Sequence, residues 1–183
     1  MSFMSKNTNW TEVSAAGGSN MIPAGGYVAK ITSVEDVESK EYLKFTYDIA
    51  EGEHAGFFAN EKRPYTHQFI RSYKDTAANF MRQFLDCVEA SNNGFTLAGW
   101  NNNPYDLINK LVGVVIQRED YTNESGEDRA RMNVVSFAPV DDIRNNRYVL
   151  PDPEDNRKEK PTEQQQPMTT DAVSIYDADI PFL

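Results

Sequence analysis

Cysteine is nearly absent: Cys87 stands alone among 183 residues, which excludes an internal disulfide and any zinc site built on a cysteine cluster. Histidine is almost as scarce, and His54 and His67 have no second ligand or catalytic partner at a motif spacing. No apolar run approaches the ~18 residues needed to cross a bilayer, and residues 1–11 lack the basic-then-apolar pattern of a signal peptide. A cytoplasmic protein with no membrane partner is expected. Also missing are the glycine-rich phosphate loops, the Gly-x-Ser-x-Gly elbow and the His-Glu-x-x-His helix. No catalysis, metal or cofactor is expected. The carboxylates Asp120, Asp141 and Asp142 are the set from which a metal-dependent nuclease could be assembled, if the fold made them converge.

What is present in quantity is acid. The formal net charge is -10, which argues against a nucleic-acid partner until the chain is divided. Residues 1–150 hold 15 Lys/Arg against 20 Asp/Glu, and residues 151–183 hold 3 against 8, so half the excess lies in less than a fifth of the length. Exposed charges more than ~10 Å apart are largely screened at 0.1 M salt, so an acidic body can still carry a basic surface. A hydrophobic fraction of 39% supports one buried domain, while a mean hydropathy of -0.63 indicates polar appendages.

Residues 1–24 are polar and Gly/Ser-rich and read as a flexible arm. From Gly25 the pattern changes to period two. Tyr27, Ala29 and Ile31, then Leu43, Phe45, Tyr47 and Ile49, alternate with polar neighbours across a charged turn near Glu38–Glu41, which predicts a hairpin. A third extended segment is predicted over Phe57–Arg71. Asp75 can cap a helix whose Ala77, Phe80, Met81, Phe84, Leu85 and Val88 form an apolar stripe. Leu111–Tyr121 and Arg129–Phe137, separated by a turn at Asn123–Gly126, predict a second hairpin. Strand, strand, strand, helix, strand, strand is the element order of an OB-fold, so the expected class is mainly β with one central helix, an OB-fold-like barrel over residues 25–150.

Within Lys62–Lys74 there are four Lys/Arg residues and no acids, with Tyr65, Phe69 and Tyr73 interleaved. A single nucleic-acid strand requires this combination: cations for phosphates, and ring faces on which unpaired bases stack at ~1–3 kcal/mol each. Lys44, Lys62, Arg63, Arg71, Lys74, Arg129 and Arg131 are the expected phosphate ligands. Tyr42, Tyr65, Tyr73 and Tyr121 are the expected stacking platforms.

From Pro151 to Pro167 there is no aliphatic residue, a composition that cannot offset the entropy of ordering. Residues 151–183 therefore read as a disordered acidic tail. It ends in Asp177-Ala-Asp-Ile-Pro-Phe182, which resembles the acidic tip of bacterial single-stranded DNA-binding proteins, although here Leu183 follows the phenylalanine and the acidic run is thinner. The body is similar to the diverged OB-fold DNA-binding proteins encoded by bacteriophages. The resemblance implies a single-stranded DNA-binding protein of replication, recombination and repair. Its tip residues Asp177, Asp179, Ile180, Pro181 and Phe182 would recruit partner proteins and compete with DNA for the body. Homo-oligomer formation is compatible with this reading. The alternative that takes the net charge at face value is an acidic interaction module, a mimic of DNA that occupies a host enzyme.

Overall fold

The structure, a computed structural model, describes residues 21–158. Residues 1–20 of the arm and everything after 158, including the tip residues Asp177, Asp179, Ile180, Pro181 and Phe182, lie outside the described residues.

One sheet organises the chain. Its strands are β1 (Gly25–Val37), β2 (Tyr42–Ile49), β3 (Gln68–Ser72), β4 (Leu111–Thr122), β5 (Asp128–Ala138) and β6 (Glu154–Asn156). Helix α1 (Ala78–Ser91) joins β3 to β4, and a short α2 (Val140–Arg144) follows β5. Spatial order is β3-β2-β1-β4-β5 with antiparallel neighbours, while β6 lies parallel to β4 at Glu119–Tyr121, past the end of the β1 ladder. The protein is thus mainly β with one central helix. The sheet does not close: among the described residues no backbone ladder joins β3 to β5. Side chains fill that seam instead. Phe69 of β3 meets Phe137 of β5 at 4.8 Å between ring centroids, and Phe84 of α1 touches both.

Alternation in β2 explains its orientation, since Leu43, Phe45, Tyr47 and Ile49 are buried and Tyr42, Lys44, Thr46 and Asp48 are not. Each large side chain so buried contributes roughly 1.5–3 kcal/mol. The principal core lies between this face and α1, which buries Met81, Phe84, Leu85, Cys87 and Val88. A smaller core on the other side packs Val28 and Val115 against Val140 and Ile143 of α2. Gly113 permits that close approach: a β-carbon there would stand 2.5 Å from both the Ala138 carbonyl oxygen and Ile143 Cγ1.

Three expectations are corrected. Asp75 does not cap α1; it opens a separate 3-10 turn, Asp75–Ala77, and the helix begins without a side-chain cap. Phe80, in the first turn of α1 at the margin of the stripe, is 58% exposed rather than core. The third strand is only Gln68–Ser72, because Asp48 Oδ1 accepts hydrogen bonds from the amides of Ile49 (2.8 Å) and Phe58 (2.9 Å) and folds the chain into turns after β2. His67 then stacks on Phe58 at 4.8 Å, closing those turns over the core.

The start of the expected tail is also built into the body. Gln117 Nε2 donates to the Pro151 carbonyl, Asn156 Nδ2 to Glu119 Oε1 (3.1 Å) and the Lys158 amide to Thr122 Oγ1 (2.9 Å). Residues 151–158 are therefore a strap laid along β4.

Candidate nucleic-acid interface

Strand register sorts the basic-aromatic stretch onto two sides. Gln68, Ile70 and Ser72 stand opposite Thr46, Lys44 and Tyr42 and share the outer face of the β2–β3 pair. Phe69 and Arg71 stand opposite Phe45 and Leu43 on the inner face. Tyr42 and Lys44 are thereby brought beside Ile70, which is 49% exposed in the middle of the outer face. Gln68 Nε2 donates to Thr46 Oγ1 (3.0 Å) and stiffens that surface.

Lys62, Arg63 and Tyr65 precede this face in an exposed segment leading through the 3-10 turn Pro64–His67, and Tyr65 is 70% exposed. The same turn approaches β5, so it borders the open seam. Lys62 and Lys74, one before the turn and one after β3, are exposed and form no ion pair among the described residues.

Of the remaining expected cations, Lys44, Arg63, Arg129 and Arg131 are compensated. Lys44 Nζ pairs with Glu35, a hydrogen bond that raises the lysine pKa. Arg63 forks onto Glu61 at 3.0 and 3.2 Å and brings that carboxyl down to about 2. Tyr73 donates its hydroxyl to Asp36 Oδ1 (2.9 Å) and so stands in acidic surroundings, apart from the outer face.

Arg71 departs most from expectation. Its guanidinium crosses the seam and lies 4.4 Å from the Phe137 ring centroid, while Nη1 donates to the Ile70 carbonyl (3.2 Å) and Nε is buried without a partner. Burial lowers its pKa. Each of the chain's other arginines pairs with a carboxylate; among the described residues Arg71 finds none. It closes the seam from within rather than lining the outer face.

The β4–β5 ribbon brings Tyr121, Arg129 and Arg131 together. Tyr121 faces Arg129 across the ladder, and the Arg131 guanidinium lies 4.7 Å from the Tyr121 ring centroid. Each base is held by an acid: Arg131 by Glu119 at 2.7 and 3.0 Å, Arg129 by Glu127 at 2.6 Å, and Arg118 by Asp120 at 2.8 Å. Glu119 also accepts from Asn133 and Asn156, and these bonds, Arg131's foremost, lower its pKa.

The three acids required for a nuclease do not converge. Asp120 faces Arg118, Asp141 faces Arg144 (3.2 Å) and Asp142 faces Arg147 (2.8 Å). Among the described residues no group of three metal-ligating side chains could hold an ion. No described helix is long and apolar enough to cross a membrane.

Residues 7–148 match the model of a family described as "Protein of unknown function (DUF669)". The chain belongs to the DUF669 family. No curated protein matches it. The DUF669 match takes in β1 through α2 and with them the whole outer β2–β3 face, the turn carrying Tyr65 and the ribbon. The strap carrying β6 and the acidic tip lie beyond it. Ile70, Thr46 and Gln68 are the members of the face that composition does not single out, since they are uncharged; the pairing of β2 with β3 reveals them.

Proposed function

We propose that this DUF669 protein binds single-stranded DNA without catalysing a reaction on it, in replication, recombination and repair of the bacteriophage type. A strand would run over the outer β2–β3 face. Tyr42 and Tyr65 stack bases, Ile70 supplies an apolar floor, and Lys62 and Lys74 neutralise phosphates, joined by Lys44 and Arg63 where a phosphate displaces Glu35 and Glu61. The strand order β3-β2-β1-β4-β5 supports an OB-fold opened at its last seam, in which the second and third strands grip the ligand. One observation carries the reading: Lys62–Lys74, with four bases and no acid, turns its lysines and Tyr65 outward and its Phe69 and His67 inward. The tip, Asp177 to Phe182, would recruit a partner protein, and the strap sends the tail off from the free end of the β4–β5 ribbon.

The test is fluorescence anisotropy of a labelled poly-thymidine strand and a duplex of equal length, titrated with salt. Three or four phosphate contacts give a log-log slope of roughly -2 to -3 for a single strand. Equal affinity for the duplex would contradict the proposal.

A second reading has its own support in the carboxylate pairing of all arginines but Arg71, which leaves little free positive charge. On that reading the body is an acidic interaction module, and poly-thymidine produces no change in anisotropy at any salt concentration.

A further inference from the structure

At the end of the β1–β2 hairpin, away from the outer face, α1 and the loop after it leave an open groove of about 500 Å³. Leu43, Met81 and Leu85 form its floor, and Tyr73 and Trp100 its walls. Trp100 is held in place by its indole Nε1, which donates to the Asn103 carbonyl (3.0 Å). Phe80 and Tyr105, the sequence neighbours of the lining residues Met81 and Pro104, are 58% and 57% exposed. Apolar patches of this kind, rimmed by polar groups, mark docking sites. The rim is acidic: Asp36 and Glu38 line it and, among the described residues, no Lys or Arg does.

Charge and reach select among occupants. A nucleic-acid strand and the chain's own acidic tail would both be repelled by Asp36 and Glu38, and a second copy carries the same net charge of -10. The N-terminal arm has an apolar anchor in Trp10, but β1 starts at Gly25, and the groove lies beside Asp36 near the other end of that strand. The gap is ~35 Å along the strand. Trp10 spans that only if the eleven residues from Met21 are almost fully extended, at ~3.3–3.6 Å each, and the arm, which also carries Phe3, holds one base, Lys6, against one acid, Glu12, so it brings no net charge to the acidic rim. A partner with apolar side chains and flanking cations satisfies the floor and the rim together, in the mode of an amphipathic helix laid into a groove.

We propose that this groove docks a basic amphipathic segment of another protein, through a surface separate from the outer β2–β3 face and of opposite electrostatic preference. The protein then holds DNA and a cationic partner at once, with no competition between them.

The experiment uses the full chain carrying Trp10→Phe, which leaves Trp100 as its sole tryptophan. The probe is a labelled 14-residue Leu/Lys peptide with its leucines at helical i, i+3, i+4, i+7 spacing. Expected are saturable binding with a shift in Trp100 emission, at least fivefold weaker binding after Asp36→Asn with Glu38→Gln, and no binding of the Leu/Glu version. Both substitutions are isosteric, and Asp36→Asn keeps an acceptor for Tyr73. Poly-thymidine added at saturation leaves the peptide affinity unchanged. Equal binding of the Lys and Glu peptides, or an unmoved Trp100, overturns the proposal. So does a threefold or greater tightening on deletion of residues 2–20, which would make the arm the occupant.

Discussion

The outer β2–β3 face and the β4–β5 ribbon are built from the same residue types, tyrosines among bases, yet their charges are disposed differently. On the ribbon, strand register places Glu119 across from Arg131, and neighbouring Glu127 and Asp120 take Arg129 and Arg118. Along the β3 stretch, acids flank the bases without matching them all, and among the described residues nothing compensates Lys62 and Lys74. An ion pair between partly exposed groups contributes only ~0–1 kcal/mol to stability, but it removes a cation from the field that a phosphate meets. Local pairing, more than the count of bases, therefore separates a ligand-binding surface from a rigid one.

The strongest test of this contrast is charge reversal. Lys62→Glu with Lys74→Glu is expected to weaken poly-thymidine binding ten- to a hundredfold at low salt, whereas Arg129→Glu changes it less than threefold; anisotropy titrations of both variants make the comparison. Stacking is the next largest effect. Tyr65→Ala should cost ~1–3 kcal/mol of binding and Tyr65→Phe almost none, while Tyr121→Ala, whose ring is already covered by Arg131, should cost well under 1 kcal/mol of binding by the same stacking scale.

A smaller effect runs the other way. Glu119→Gln releases Arg131 from its fork, so the ribbon should gain a phosphate contact, with a two- to fourfold rise in affinity and a steeper salt dependence of about one counterion. No gain would mean that the Arg131 side chain is positioned by Tyr121 rather than by Glu119.

The two regions should also separate by pH. Burial pushes the His67 imidazole below its ordinary 6.5, so the folded protein binds fewer protons there than the unfolded chain does. The turn's stability is full above about 6.5 and falls as pH drops toward the folded value. Glu119 is held below its ordinary 4.5, so its contribution is present above that value and lost only as pH falls through the folded one. Between pH 7 and 5.5, hydrogen exchange at Phe58 and Thr66 should quicken, after correction for intrinsic rates, while Arg131 stays protected. His67→Phe should flatten the response of the turn.

Period two made both hairpins legible, and the i, i+3, i+4 stripe made α1 legible, because in each the apolar residues meet one core. Three features were hidden for separate physical reasons. The turns after β2 depend on one carboxylate, Asp48, capturing an amide ten residues away, which leaves no periodic mark. Strand β6 is Glu-Asp-Asn, and it pairs through backbone and through Asn156 on Glu119, so no apolar pattern announces it. Arg71 follows from alternation once Phe69 is buried and Ile70 is out, but its charge suggests solvent; a phenyl face and a carbonyl stand in for water. The residue types of the candidate face were legible; the acids that neutralise Arg63 and Arg129 lie two residues away in the chain, while the pairing that neutralises Lys44 and Arg131 required the register. The ribbon's share could have been read from its hairpin turn, which sets Glu119 opposite Arg131.

The most direct measurement is the map of backbone amide shifts in the full chain as poly-thymidine is added at low salt. Changes concentrated in Tyr42–Thr46 and Lys62–Lys74 are expected, with the β4–β5 ribbon and the groove around Trp100 unmoved. Changes confined to the ribbon, or none at saturating oligonucleotide, would contradict binding at the outer β2–β3 face.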